Sequence, residues 1–281
     1  MNLKLMQEAK EVATDTLRQN FGTILTIILI AGMPIVFCNY YIASFFPLEV
    51  FTETLTIEQF TEIVWNQGLI QCLSVLVQLI FYPITISSMK IILNMYFEKT
   101  SSINNLFFNY SSINRIFRTF ALFGTIWLAF LIKLLPYIFI ISLVLFASEM
   151  IFLYNQTLGL IFLVPLYGVT LYIMFKALGA YIHVLIFENI CILNFDDSEF
   201  SRKKLYYDLK TIFYKKSSEL SNLGISFFFP CFLGFTLANF TLGISIFIFY
   251  IYLSITLVYY TTKNNSNLLP NNVNNKGEFN E

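Results

Sequence analysis

Residues 119–148 read TFALFGTIWLAFLIKLLPYIFIISLVLFAS, thirty residues with one charge, Lys133. A helix crosses the hydrocarbon layer of a bilayer with about 20 apolar residues. The run exceeds one crossing, so it predicts a span that tilts, kinks or projects beyond the bilayer. Similar runs cover 22–46, 69–96 and 158–187. The stretch Leu223–Thr262 is about twice one span. It divides into 223–238 and 243–262 around the turn residues Asn239, Thr241 and Gly243. The expected fold is all-α: a polytopic transmembrane bundle of six spans, one domain over 1–263. A polar, Asn-rich tail, 264–281, is expected to be disordered.

Composition leads to the same class. Hydrophobic residues are 57% of the chain and charged residues 12%, against roughly 45–50% and 25% in soluble domains. Mean hydropathy is +0.69. A soluble fold could not hide this much apolar surface without large sticky patches. The abundance of Phe, Ile and Asn points to an AT-rich bacterial genome. The charged leader before 22–46 and the length of that run argue against a cleavable signal peptide.

Zero net charge conceals a sidedness. The stretches 47–68 and 149–157 hold Glu49, Glu53, Glu58, Glu62 and Glu149 but no Lys or Arg. Residues 1–21, 97–118, 188–222 and 263–281 hold every basic residue outside the apolar runs. Positive loops stay cytoplasmic, so both termini are expected in the cytoplasm of a multi-pass plasma-membrane protein. Tyr40, Tyr41, Trp65, Tyr154, Tyr259 and Tyr260 stand near span ends, where amphipathic rings prefer the interface.

A helical stripe precedes each outward span. Leu5, Ala9, Val12 and Leu17 form the first, and Ile103, Leu106, Phe107, Tyr110, Ile113, Ile116 and Phe117 the second. In the third, which begins near Arg202, Leu205, Leu209, Ile212 and Phe213 oppose Lys203, Lys204, Lys210 and the pair Lys215 and Lys216, with Asp197 or Ser198 as N-cap. Such helices lie in the headgroup plane with cations toward anionic lipid, or dock on a partner. The six basic residues are therefore expected membrane-surface contacts. The bilayer, its anionic headgroups or another membrane protein complex are the expected partners, and nucleic acid is not.

Several short motifs carry a resemblance. Leu223-Gly224-Ile225-Ser226-Phe227, Phe240-Thr241-Leu242-Gly243-Ile244 and Tyr250, Tyr252 and Tyr259-Tyr260 lie toward the C-terminal end. Leu17-Arg18-Gln19-Asn20-Phe21, Leu106-Phe107, Trp127 and Leu134-Leu135-Pro136 lie earlier. The chain resembles a family of bacterial integral-membrane proteins of about six spans, a domain of unknown function common in Gram-positive bacteria. Tyr137 stands where that family often has Gly, and Lys215-Lys216 where it often has Gly-Lys. The resemblance implies the topology and brings no established activity.

Enzyme motifs are missing. The single histidine, His183, has no HExxH partner, and Glu188 five residues on is off its helical face. There is no GxSxG elbow, no phosphate-binding Walker loop and no Asp within the spans. Cys38, Cys72, Cys191 and Cys231 have no metal or redox spacing. No enzyme activity, cofactor or metal is expected.

The residues singled out are the charges within spans. Lys90 and Lys176 can snorkel to the cytoplasmic headgroups. Lys133, near mid-span, costs about 2.5–3.5 kcal/mol on insertion scales. It reads as a structural anchor beside a group such as Gln78, or as a site for an anionic group. His183 reads as a packed histidine or a proton relay. Pro34, Pro83, Pro136, Pro165 and Pro230 place one proline in each of the first five spans, which serves packing geometry or a transport cavity. The leading expectation is a non-catalytic helper subunit of the cell envelope, beside an exporter or in protection against membrane-active peptides. The competing one is a small permease or lipid-handling protein with a site near Lys133.

The sidedness is checked by single cysteines at Glu58 and Ser201 in a background lacking the native four. Only the Glu58 position should react with an impermeant thiol reagent in intact cells. Labelling of Ser201 alone inverts the topology.

Overall fold

The computed structural model describes residues 3–45, 57–98, 103–154, 156–196, 201–214, 217–227, 236–237, 241 and 244–264. Among these, every element is helical. Helix α1 is Leu3–Gln19. Helix α2, Phe21–Phe45, widens into a π turn over Ile28–Gly32, just before Pro34. Helices α3 (Ile57–Glu98) and α4 (Ile113–Tyr154) are 42 residues each, and α5 is Gln156–Leu193. Two short helices follow, α6 (Arg202–Tyr214) and α7 (Ser217–Ser226), and then α8 (Ile244–Asn264).

Five helical stretches are long and apolar enough to cross a membrane: Phe21–Phe45, Thr61–Phe97, Ile113–Ser148, Pro165–Leu193 and Ile244–Lys263. They match the expected spans at 22–46, 69–96, 119–148, 158–187 and 243–262. Most of the sixth expected span, 223–238, lies outside the described residues, as do Pro230, Cys231 and the tail beyond Asn264. Pro83, Pro136 and Pro165 stand inside helices that continue on both sides of them. Helix α3 also starts earlier than its apolar run. Ile57 to Gly68 are helical because Glu58, Gln59 and Glu62 favour a helix as well as any apolar residue does.

The long helices are divided along their length. Toward Phe45, Trp65, Phe146 and Tyr172, large apolar side chains are exposed. Toward the other end the core is closed. From Ile182 to Ile192 helix α5 buries almost every side chain, the mark of a helix enclosed on all faces. Its neighbours there include Ile86, Ile92 and Leu93 of α3, Leu122 of α4, Leu205 and Leu209 of α6, and Ile255 and Leu257 of α8.

Two of the three expected amphipathic helices exist, and the described side chains of both apolar stripes turn to protein, those of Ile212 and Phe213 lying outside the description. Helix α1 buries Met6, Ala9 and Ala13 and packs along α8, where the Tyr259 hydroxyl donates to Glu8. Lys10 donates to the Ser226 carbonyl at 3.3 Å and lies over the Phe227 ring; burial lowers its pKa from the usual value. Helix α6 packs on α5 through Leu205 and Leu209. Its N-cap is Ser201, whose Oγ accepts from the Lys204 N–H at 3.3 Å, and the expected caps Asp197 and Ser198 lie outside the described residues.

The second expected stripe is not one helix. Residues 103–112 form two 3₁₀ turns, Ile103–Asn105 and Phe108–Tyr110, and α4 begins only at Ile113. Ser and Asn side chains compete with the helical backbone for hydrogen bonds, and this segment uses its side chains elsewhere. Asn109 Nδ2 donates to Ser87 Oγ at 2.9 Å and to the Pro83 carbonyl at 3.3 Å. The Tyr110 hydroxyl donates to the Ile80 carbonyl at 2.6 Å. The loop thus brackets the proline of α3, where the helix lacks a backbone donor.

Two glycines set close contacts. A Cβ on Gly32 would stand 2.9 Å from the Phe247 ring, and one on Gly224 would stand 2.5 Å from Leu178 Cγ. Gly224→Ala should therefore cost about 1–3 kcal/mol by overpacking α7 against α5. Thermal unfolding in neutral detergent checks it, and an unchanged midpoint would mean that the two helices are not in contact.

Candidate functional site

Helix spacing gathers the basic residues. On α4, Lys133, Pro136 and Tyr137 are related by three and four residues and share one face. On α5, Lys176, Gly179, Ala180 and His183 do the same, and on α6 Tyr206 and Lys210 are four apart. These faces meet around a cavity of about 530 Å³ lined by Lys133, Lys176, His183 and Lys210. Leu220 and Ser221 of α7 add a further wall, and Ile132 contributes beside Pro136.

The cavity has local causes. Gly179 and Ala180 leave almost no side-chain volume on the α5 wall. Pro136 lacks an N–H, so the Ile132 carbonyl, four residues earlier, loses its helical donor. The result is an indentation between α4 and α5 at mid-helix. Lys133 lies fifteen residues beyond Arg118, or ~22 Å at 1.5 Å per residue.

Positive charge accumulates there without neutralisation. Among the described residues no acidic side chain lines the cavity, and no ion pair involves Lys133, Lys176 or Lys210. Lys133 and Lys210 lie within electrostatic reach of each other, as do Lys133 and His183. Lys133 Nζ stands 5.7 Å from the Tyr206 ring centroid, and Lys176 Nζ stands 5.6 Å from that of Tyr172. An aromatic face attracts a cation but adds no counter-charge. Burial raises the pKa of the Tyr206 hydroxyl above its ordinary value. His183 is buried, its ring 6.3 Å from that of Tyr206.

All three intramembrane candidates, Lys133, Lys176 and His183, thus meet in one place. Lys210, expected only as a lipid contact, joins them. Its spacing from Tyr206 was the available signal, but which helix it would face was not legible. Of the other expected surface contacts, Arg202 lies within electrostatic reach of Tyr82 and Cys191, Lys203 and Lys204 are exposed, and Lys215 and Lys216 lie outside the described residues. Gln78 is exposed on α3 and does not line the cavity. Helix α6, which carries Arg202, Lys203 and Lys204 at its start, approaches Lys133 through Tyr206 and Lys210.

Two polar groups lie apart from the cavity. Lys90, expected to snorkel, pairs with Asp196 at 2.5 Å, joined by Arg115 at 3.5 Å. Arg118 Nη2 donates to the Phe195 carbonyl at 2.8 Å. Deeper in the core the Tyr250 hydroxyl donates to Glu188 at 3.3 Å. These contacts tie α3, α4, α5 and α8 together.

Fold and site together define a multi-pass helical membrane protein with a cationic cavity between its helices. No family model, no curated protein and no solved structure matches the chain.

Like charges held together without a counter-charge weaken the empty protein. Lys133→Met should raise thermal stability in neutral detergent by roughly 1 kcal/mol, as when a residue kept for binding is removed. A fall in stability would make Lys133 a structural anchor instead.

Proposed function

We propose that this is a non-catalytic, lipid-handling protein of the bacterial cell membrane that holds an anionic headgroup among Lys133, Lys176 and Lys210. The observation that supports it is that three lysines, from three helices, line one cavity with no carboxylate among its described lining residues. Lysine is a compact point charge with three donors and suits an anionic oxygen cluster. On this reading both termini are cytoplasmic and the cavity lies at the inner headgroup level. Below it stand the charged faces of α1 and α6, and above it the exposed apolar residues of α4 and α5. Membership of the six-span family is part of the same proposal.

The full chain, purified from its native membrane, should carry anionic lipids enriched over the bulk membrane, as measured by lipid mass spectrometry. Replacing Lys133, Lys176 and Lys210 together by Gln should remove the enrichment. A second protein complex that co-purifies, with lipid composition unchanged by the substitutions, would favour the helper-subunit reading.

A further inference from the structure

We infer that the cavity selects a lipid with a terminal phosphomonoester over one with a phosphodiester headgroup. The inference rests on the anionic-headgroup reading and adds a count of charges. A phosphodiester carries one negative charge. A phosphomonoester carries about −1.5 to −2 at neutral pH and three acceptor oxygens. Three lysines line the cavity, from α4, α5 and α6. Tyr206 and Tyr172 hold two of them by their ring faces, which leaves the charges uncompensated. One negative charge would leave a surplus of two ammonium groups at close quarters. A dianion with three oxygens offers each lysine an acceptor of its own and leaves a surplus near one.

The rim indicates why the ligand is a lipid and not free phosphate. Ile132, which lines the cavity, is 58% exposed, and Leu135 and Phe139, further along α4, are 56% and 62% exposed. An apolar tail leaving the cavity along α4 would cover these side chains. On the spanning reading these side chains face the bilayer, so a lipid can enter the cavity headgroup first while its tail stays among the acyl chains. The walls contribute further polar groups, Tyr137 and Ser221, which suit phosphate oxygens.

The test uses the full chain in phosphatidylcholine nanodiscs with phosphatidic acid or phosphatidylglycerol added, and native mass spectrometry reads the retained lipid. Phosphatidic acid should be held more tightly than phosphatidylglycerol by roughly tenfold or more, the size of one added charge-assisted hydrogen bond. Lys210→Gln should weaken retention of both lipids, that of phosphatidic acid more, and so narrow the preference. Lys210 is exposed, so its loss should leave the fold intact, and Lys210→Arg should keep the preference. Millimolar inorganic phosphate should not displace the lipid. Equal retention of the two lipids overturns the phosphomonoester inference and leaves the anionic site standing, whereas retention of neither overturns both. Displacement by inorganic phosphate would assign the cavity to a soluble ligand and overturn the lipid assignment.

Discussion

Helix length is the constraint on which this fold depends. A helix of 42 residues extends about 63 Å, roughly twice the hydrocarbon thickness. Lipid can cover only part of such a helix, and the remainder needs a second cover made of protein. Helices α1, α6 and α7 supply it. Each presents small or branched apolar residues to the core, as Ala9 and Ala13 do on α1 and Leu205 and Leu209 on α6. Their charged faces turn outward, where hydrocarbon would not accept them. The enclosed half of α5 follows from this, since a helix covered on all sides can be apolar on all sides.

The same cover explains the position of the cavity. It lies where the protein jacket ends, between α4 and α5 and against Lys210 and Leu220. Asp196 steadies the opposite end. It draws Lys90 of α3 and Arg115 of α4 to the end of α5, and Arg118 binds the carboxyl end of the same helix. Exposed ion pairs contribute little energy singly. Here they fix how three long helices line up, and so which residues of α4 and α5 stand opposite one another fifteen residues away.

The spans were legible because apolar length is a direct requirement of the bilayer, and the sequence carries it without reference to tertiary contacts. Lys133, Lys176 and His183 were legible as oddities, each a costly residue in an apolar run. Their convergence was not, because antiparallel pairing decides which position of α5 faces Lys133. Lys210 was read as a lipid contact because an apolar stripe looks the same whether it faces lipid or protein. The segment 103–112 shows a third limit. Its apolar spacing was helical, but Asn109 and Tyr110 satisfy groups around Pro83, and periodicity does not register that demand.

Pro136 has a mechanical meaning. Because the Ile132 carbonyl has no donor in its own helix, α4 is least stiff at the cavity wall. Below that point α4 is pinned through Arg115 and Arg118, and above it its side chains are exposed. A long helix answers a change in bilayer thickness by tilting. For α4 the pivot of that tilt falls between Ile132 and Pro136, next to Lys133, so membrane thickness would set the distance between the lysines of the two walls.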